Sequence, residues 1–87
     1  MSKDYNQIEL VQTCGACPEQ YDAYLNGEKV GYLRLRHGTF RVDYGGAGGE
    51  TIYSASPIGD GCFEVDEREG YLKMAKKKIY KQYVKNQ

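Results

Sequence analysis

The sequence predicts an α+β domain: an antiparallel meander sheet of four to five strands with one C-terminal helix packed on one face. Three observations predict it. The stretch 30–44, VGYLRLRHGTFRVDY, alternates apolar and polar side chains on both sides of His37-Gly38, a two-residue step able to take the positive φ angles of a tight hairpin. A second hairpin signal, Asn26-Gly27, lies just upstream. Near the end of the chain, Leu72, Ala75, Ile79 and Tyr83 recur at helical spacing.

Residues 1–4 are polar and read as a loose end. From Tyr5 to Thr13 the pattern reads as a strand, followed by the small-residue turn Cys14-Gly-Ala-Cys-Pro18 and a second strand from Gln20 to Leu25. A simple two-residue turn at Asn26-Gly27 pairs Leu25 with Glu28 and Ala23 with Val30. One extra residue, with Gly27 in a bulge, instead sets Tyr21 beside Leu33, Ala23 beside Gly31 and Asp22 beside Tyr32; this bulged form is the one expected, because it sends Tyr21 and Ala23 to the core side.

Across the His37-Gly38 turn, Leu35 faces Phe40, Leu33 faces Val42 and Gly31 faces Tyr44 on a core side. Arg36 with Thr39, Arg34 with Arg41, and Tyr32 with Asp43 fall on a wet side. Residues 45–50 hold four glycines and read as a flexible loop, since each glycine gives up more backbone freedom on ordering than any other residue. A short strand from Thr51 to Ser56 stops at Pro57, and Gly59-Asp60-Gly61 marks a turn. Asp66 and Glu69 have the spacing of a capping box for a helix over 66–85, with acids at its start and Lys76, Lys77, Lys78, Lys81 and Lys85 in its later turns, as its dipole favours.

An 87-residue chain is one domain, near the lower limit for a single unstapled core. Nine Tyr, two Phe and no Trp leave most aromatic surface with a hydroxyl that needs water or a partner, which suits a half-exposed sheet. Twelve basic residues balance twelve acidic ones, so no global field attracts nucleic acid or membrane, and any such affinity has to come from a local patch. No basic region leads into an apolar run and no segment has the length of a membrane span, so the expected location is the cytoplasm, with no membrane partner. Three cysteines are an odd and small number for a stapled secreted domain, and the thiols are expected to be reduced.

No residue set identifies a reaction. His37 has no carboxylate or nucleophile at a suggestive spacing, so no catalytic residue and no cofactor is assigned. The glycine loop joins strand to strand, whereas phosphate loops lead into a helix. The acids Asp60, Glu64, Asp66, Glu67 and Glu69 lack the spacing of an EF-hand. Cys14, Cys17, Cys62 and His37 make a valid zinc ligand set, but His37 sits at a hairpin tip that nothing in the sequence brings to the Cys14 turn.

The outer sheet side carries the clearest signal. Arg34 opposite Arg41 sets like charges in register, a destabilising pair that Asp22, Asp43 or an external anion has to offset. With Arg36, Tyr32 and Tyr24 alongside, this face has the mixture of cations and aromatics that single-stranded nucleic acid or an acidic protein segment would use. The bland reading is a solvated face on which the acids pair with the arginines.

The run CPEQYDAYLNGEKVGYLRLRHGTFRVDY, together with the downstream Gly59-Asp60-Gly61 leading to a helix, resembles small uncharacterised proteins encoded in phages and prophages of Gram-positive bacteria. The resemblance implies an accessory protein of the host-cell cytoplasm and carries over no catalytic residue. The expected function is therefore a small non-enzymatic binding module whose partner is a protein or a nucleic acid, as monomer or homodimer, contacting it through Arg34, Arg36, Arg41, Tyr32 and Tyr24. The alternative is a zinc-stabilised structural domain using Cys14, Cys17, Cys62 and His37.

Overall fold

Two left-handed turns set the register of the sheet. The computed structural model describes residues 2–14, 19–45, 49–59 and 61–85. Five antiparallel strands, β1 (Glu9–Cys14), β2 (Glu19–Leu25), β3 (Glu28–Arg36), β4 (Thr39–Tyr44) and β5 (Glu50–Ala55), lie in the order of the chain, and the helix α1 (Val65–Lys85) packs on one face. His37 and Gly38 have φ of 54° and 75°, the two positive angles of a type I′ turn. All six pairings expected across that turn are present, from Arg36 with Thr39 to Gly31 with Tyr44.

The first hairpin combines both alternatives. Asn26 and Gly27 (φ 55° and 82°) make a two-residue turn with Leu25 opposite Glu28, yet Ala23 pairs with Gly31 and Tyr21 with Leu33. The extra residue is Val30, within β3, not Gly27 in the turn. Val30 and Gly31 are consequently buried in succession, and the Gly45 N–H closes on the Val30 carbonyl at 2.8 Å.

The bulge has a packing role. A Cβ on Gly31 would stand 2.6 Å from Ile79 Cδ1, so the missing side chain is what lets α1 approach β3. Ala75 and Ile79 from the predicted helical stripe are fully buried, and Leu72 and Tyr83 pack at its margin. Phe40 in β4 meets Phe63 edge-on at 5.0 Å and Tyr71 at 5.9 Å, which joins the segment before the helix to the sheet core.

The last strand lies one residue earlier than the expected Thr51–Ser56, which takes Glu50 out of the loop, and three further boundaries differ with structural consequences. Ser2–Gln7 forms a 3-10 segment where a loose end and a strand start were expected; Tyr5 and Ile8, three residues apart, are both buried and linked by the Ile8 N–H to the Tyr5 carbonyl. β2 begins at Glu19, one residue early, with a consequence described below. The capping box is also displaced by two residues: the Glu67 carboxylate, not that of Glu69, reaches back to the Glu64 N–H at 2.9 Å, so Glu64 occupies the cap position. Glu67 wins because it also accepts the N–H groups of Ile58 (2.9 Å) and Gly59 (2.8 Å), donors from a loop that Asp66 and Glu69 do not serve. Most of the glycine-rich connection, residues 46–48, and Asp60 of the Gly-Asp-Gly turn lie outside the described residues.

Candidate functional site

The helix covers one sheet face, and the opposite face carries no described element. Strand parity places the predicted residues there in two rows. Gln20, Arg34, Arg41 and Ser54 are successive neighbours across β2 to β5, and Asp22, Tyr32, Asp43 and Thr51 form the next row. Arg34 thus faces Arg41 directly, as expected, with uncharged residues on either side of the pair. Tyr24 lies further along β2, opposite Lys29 and Glu9.

The two nearby carboxylates divide unequally. Asp43 Oδ1 accepts from Thr51 Oγ1 at 2.7 Å and lies 3.4 Å from Arg41 Nε. Asp22 Oδ1 is 3.1 Å from Lys29 Nζ. Among the described residues no carboxylate pairs with Arg34 or Arg36. Arg36 Nε instead donates to His37 Nε2 at 3.2 Å, which holds it toward the hairpin tip. Neither Tyr24 nor Tyr32 has a cation over its ring; the cation–π contacts among the described residues are Lys77 over Tyr5 and Lys78 over Tyr53. The tyrosines therefore do not screen the arginines, and Arg34 stands in the middle strand with a like charge opposite and no counter-charge among the described residues.

The cysteine set behaves differently from expectation in one respect. Cys62 is disulfide-bonded, so the expectation of reduced thiols does not hold for it, and a bonded sulfur is not the thiolate a zinc site requires. The side chains of Cys14 and Cys17 lie outside the described residues. His37 is nearer this group than its sequence context implied: Glu19 pairs with Leu35 and donates its N–H to the Gly61 carbonyl at 2.7 Å, so the His37 turn and the 61–63 segment share one end of the sheet. Among the described residues no group of three or more potential ligands is placed to hold a metal ion.

A second polar cluster escaped sequence reasoning. Glu19 faces inward and its side chain is 1% exposed. Its carboxylate accepts the Tyr21 hydroxyl, the Phe63 N–H at 3.0 Å, and Arg68 through Nε (2.8 Å) and Nη2 (3.2 Å). Burial pushes the Glu19 carboxyl up, but the Arg68 guanidinium, the Tyr21 hydroxyl and the Phe63 N–H outweigh it and hold it below the ordinary value. Burial and the adjacent carboxylate push the Tyr21 hydroxyl up to about 12. Hydrogen bonding to Glu19 and its charge raise Arg68 in turn. The available signal was an acidic residue two positions before Tyr21, at inward parity; its partner is 49 residues away.

Tyr21 and Arg68 also line an open groove of about 1040 Å³ between residues 5–10 and the first turns of α1, where Leu10, Leu72 and the exposed Val65 add apolar surface. Every charged group of the cluster is already paired, so the arrangement holds the helix start to β2 and offers no free acid or base. Comparison with protein-family models, with curated proteins and with solved structures finds no match for this chain.

Proposed function

We propose that the protein is a non-enzymatic binding module that engages an anionic extended partner, a single strand of nucleic acid or an acidic protein segment, through the outer sheet face. The observation that carries this reading is Arg34, paired in register with Arg41 while Asp43 and Asp22 are committed to Arg41 and Lys29. An anion lying across the Arg34 and Arg41 row relieves the repulsion, and the unscreened rings of Tyr32 and Tyr24 offer surfaces for stacking. Arg36 extends the cationic row toward the turn. The resemblance to small phage and prophage proteins fits an accessory module of this kind, working in the host-cell cytoplasm.

Arg34→Ala tests it best, because Arg41→Ala would also strip the buried Asp43 of its cation. The variant is expected to bind an oligothymidylate or a polyglutamate probe at least tenfold more weakly, about 1.4 kcal/mol. Its melting temperature should stay equal to or above that of the wild type, since a like-charge contact is removed. Unchanged affinity for both probes would show that the face is passive.

The zinc-stabilised alternative requires the Cys62 bridge to be reduced, and the shared sheet end of His37 and the 61–63 segment is what favours it. Reduced protein incubated with zinc and desalted should then retain close to one equivalent; less than about a tenth contradicts it, because structural sites of this type hold zinc tightly.

A further inference from the structure

The exposed side of α1 carries an ordered row of cations that the sheet face does not explain. Lys73, Lys77, Lys81 and Lys85 recur every four residues and are all exposed, whereas Lys76 and Lys78 are half-buried. At 1.5 Å per residue the ammonium groups step along the helix by about 6 Å over roughly 18 Å in all, comparable to the step between successive phosphates of a nucleic-acid strand.

Repetition at this spacing is unfavourable in an isolated helix, where like charges four apart repel. Glu69 is suitably placed for Lys73, but no acidic residue follows it in the chain. Among the described residues none of these lysines lies in a salt bridge. Lys77 sits over the Tyr5 ring at 5.4 Å, which holds one member of the row in place. A formal net charge of zero conceals this segregation, since the helix start is acidic and its last three turns are wholly basic.

We infer that this row is a contact surface for the phosphate backbone of duplex nucleic acid, independent of base sequence. The duplex fits better than an anionic membrane. The apolar stripe of α1 is spent on the sheet, and Met74 and Val84, the apolar side chains exposed on this side, are too few to enter a bilayer interface. A duplex also separates this surface from the sheet face, because stacked bases give Tyr32 and Tyr24 nothing to cover.

The test is binding of a random-sequence 20-base-pair duplex as a function of salt. Four phosphate contacts predict a slope of about −3.6 in log K against log salt concentration, and Lys77→Gln/Lys81→Gln/Lys85→Gln should reduce it to about −0.9 with at least a tenfold loss of affinity at low salt. The triple Lys→Arg variant should bind as the wild type does, and Arg34→Ala should leave duplex binding unchanged. Circular dichroism should show all variants folded. Equal binding by the Gln variant, absence of binding at about 50 mM salt, or binding to phosphatidylserine vesicles but not to duplex would each overturn the assignment.

Discussion

Glu19 shows how one buried charge can join three parts of a small fold. Its carboxylate holds the start of β2, the Phe63 backbone and the first turn of α1 together through four hydrogen bonds. Removing the cation strands a buried anion, whereas removing the anion strands a guanidinium that is 38% exposed and can be rehydrated. Arg68→Ala is therefore expected to cost about 3–5 kcal/mol and Glu19→Gln less, in urea unfolding. The reverse order would show that the ion pair does not hold the helix. The pH dependence follows from the directions of the shifts. Glu19 is lowered from its ordinary 4.5, so its stabilisation is present above that value and fades as pH falls through the lower folded-state value. Tyr21 is raised from 10 to about 12, so its contribution is complete below pH 10 and is lost as pH rises toward 12. The difference in alkaline absorbance titration between wild type and Tyr21→Phe should show the removed hydroxyl titrating near pH 12, and a midpoint near 10 would contradict its enclosure. None of this cluster was legible beforehand. An inward Glu announces that a partner exists, but nothing local names a residue 49 positions later.

At the scale of elements, local chemistry and long-range contacts divide the outcome. The β3–β4 hairpin was legible to the residue, because a one-residue slip would turn Leu33, Leu35, Phe40 and Val42 into solvent. The β2–β3 register was legible for the same reason, although the bulge that achieves it sits at Val30, where burial in the core rewards a second inward residue. The helix was legible from its stripe, and its cap was not: two acidic pairs of equal spacing were available, and the choice fell to the one reached by the Ile58 and Gly59 N–H groups. Desolvation pushes the Glu67 carboxyl up, but the N–H groups of Glu64, Gly59 and Ile58 together outweigh it and hold it below the ordinary value. Gly70 is exposed within α1 and nothing lies within 4 Å of a Cβ placed there. Gly70→Ala should accordingly stabilise the protein by about 1 kcal/mol in thermal or urea unfolding. A destabilised variant would mean that the helix start needs the backbone freedom of glycine.

The whole molecule presents charge on opposite sides of one thin core. The sheet face holds Arg34 and Arg41 without enough acid to neutralise them, and the far side of α1 holds the lysine row. Counting charges over the chain hides both, since four of the acids gather at the helix start, at Glu64, Asp66, Glu67 and Glu69. The outer-face residues were legible because strand parity alone assigns them. Which of them lacked a counter-charge was not, since Asp22 could have paired with Arg34 and pairs with Lys29 instead. The Cys62 bridge was likewise hidden, because an odd count of three cysteines gives no signal of pairing. Titration of isotopically labelled protein with oligothymidylate and with polyglutamate, followed by amide chemical shifts, tests the central claim most directly. For at least one probe, the largest changes should fall at Tyr32, Arg34 and Arg41 and vanish in Arg34→Ala. Changes confined to α1, or none with either probe, would contradict a binding role for the sheet face.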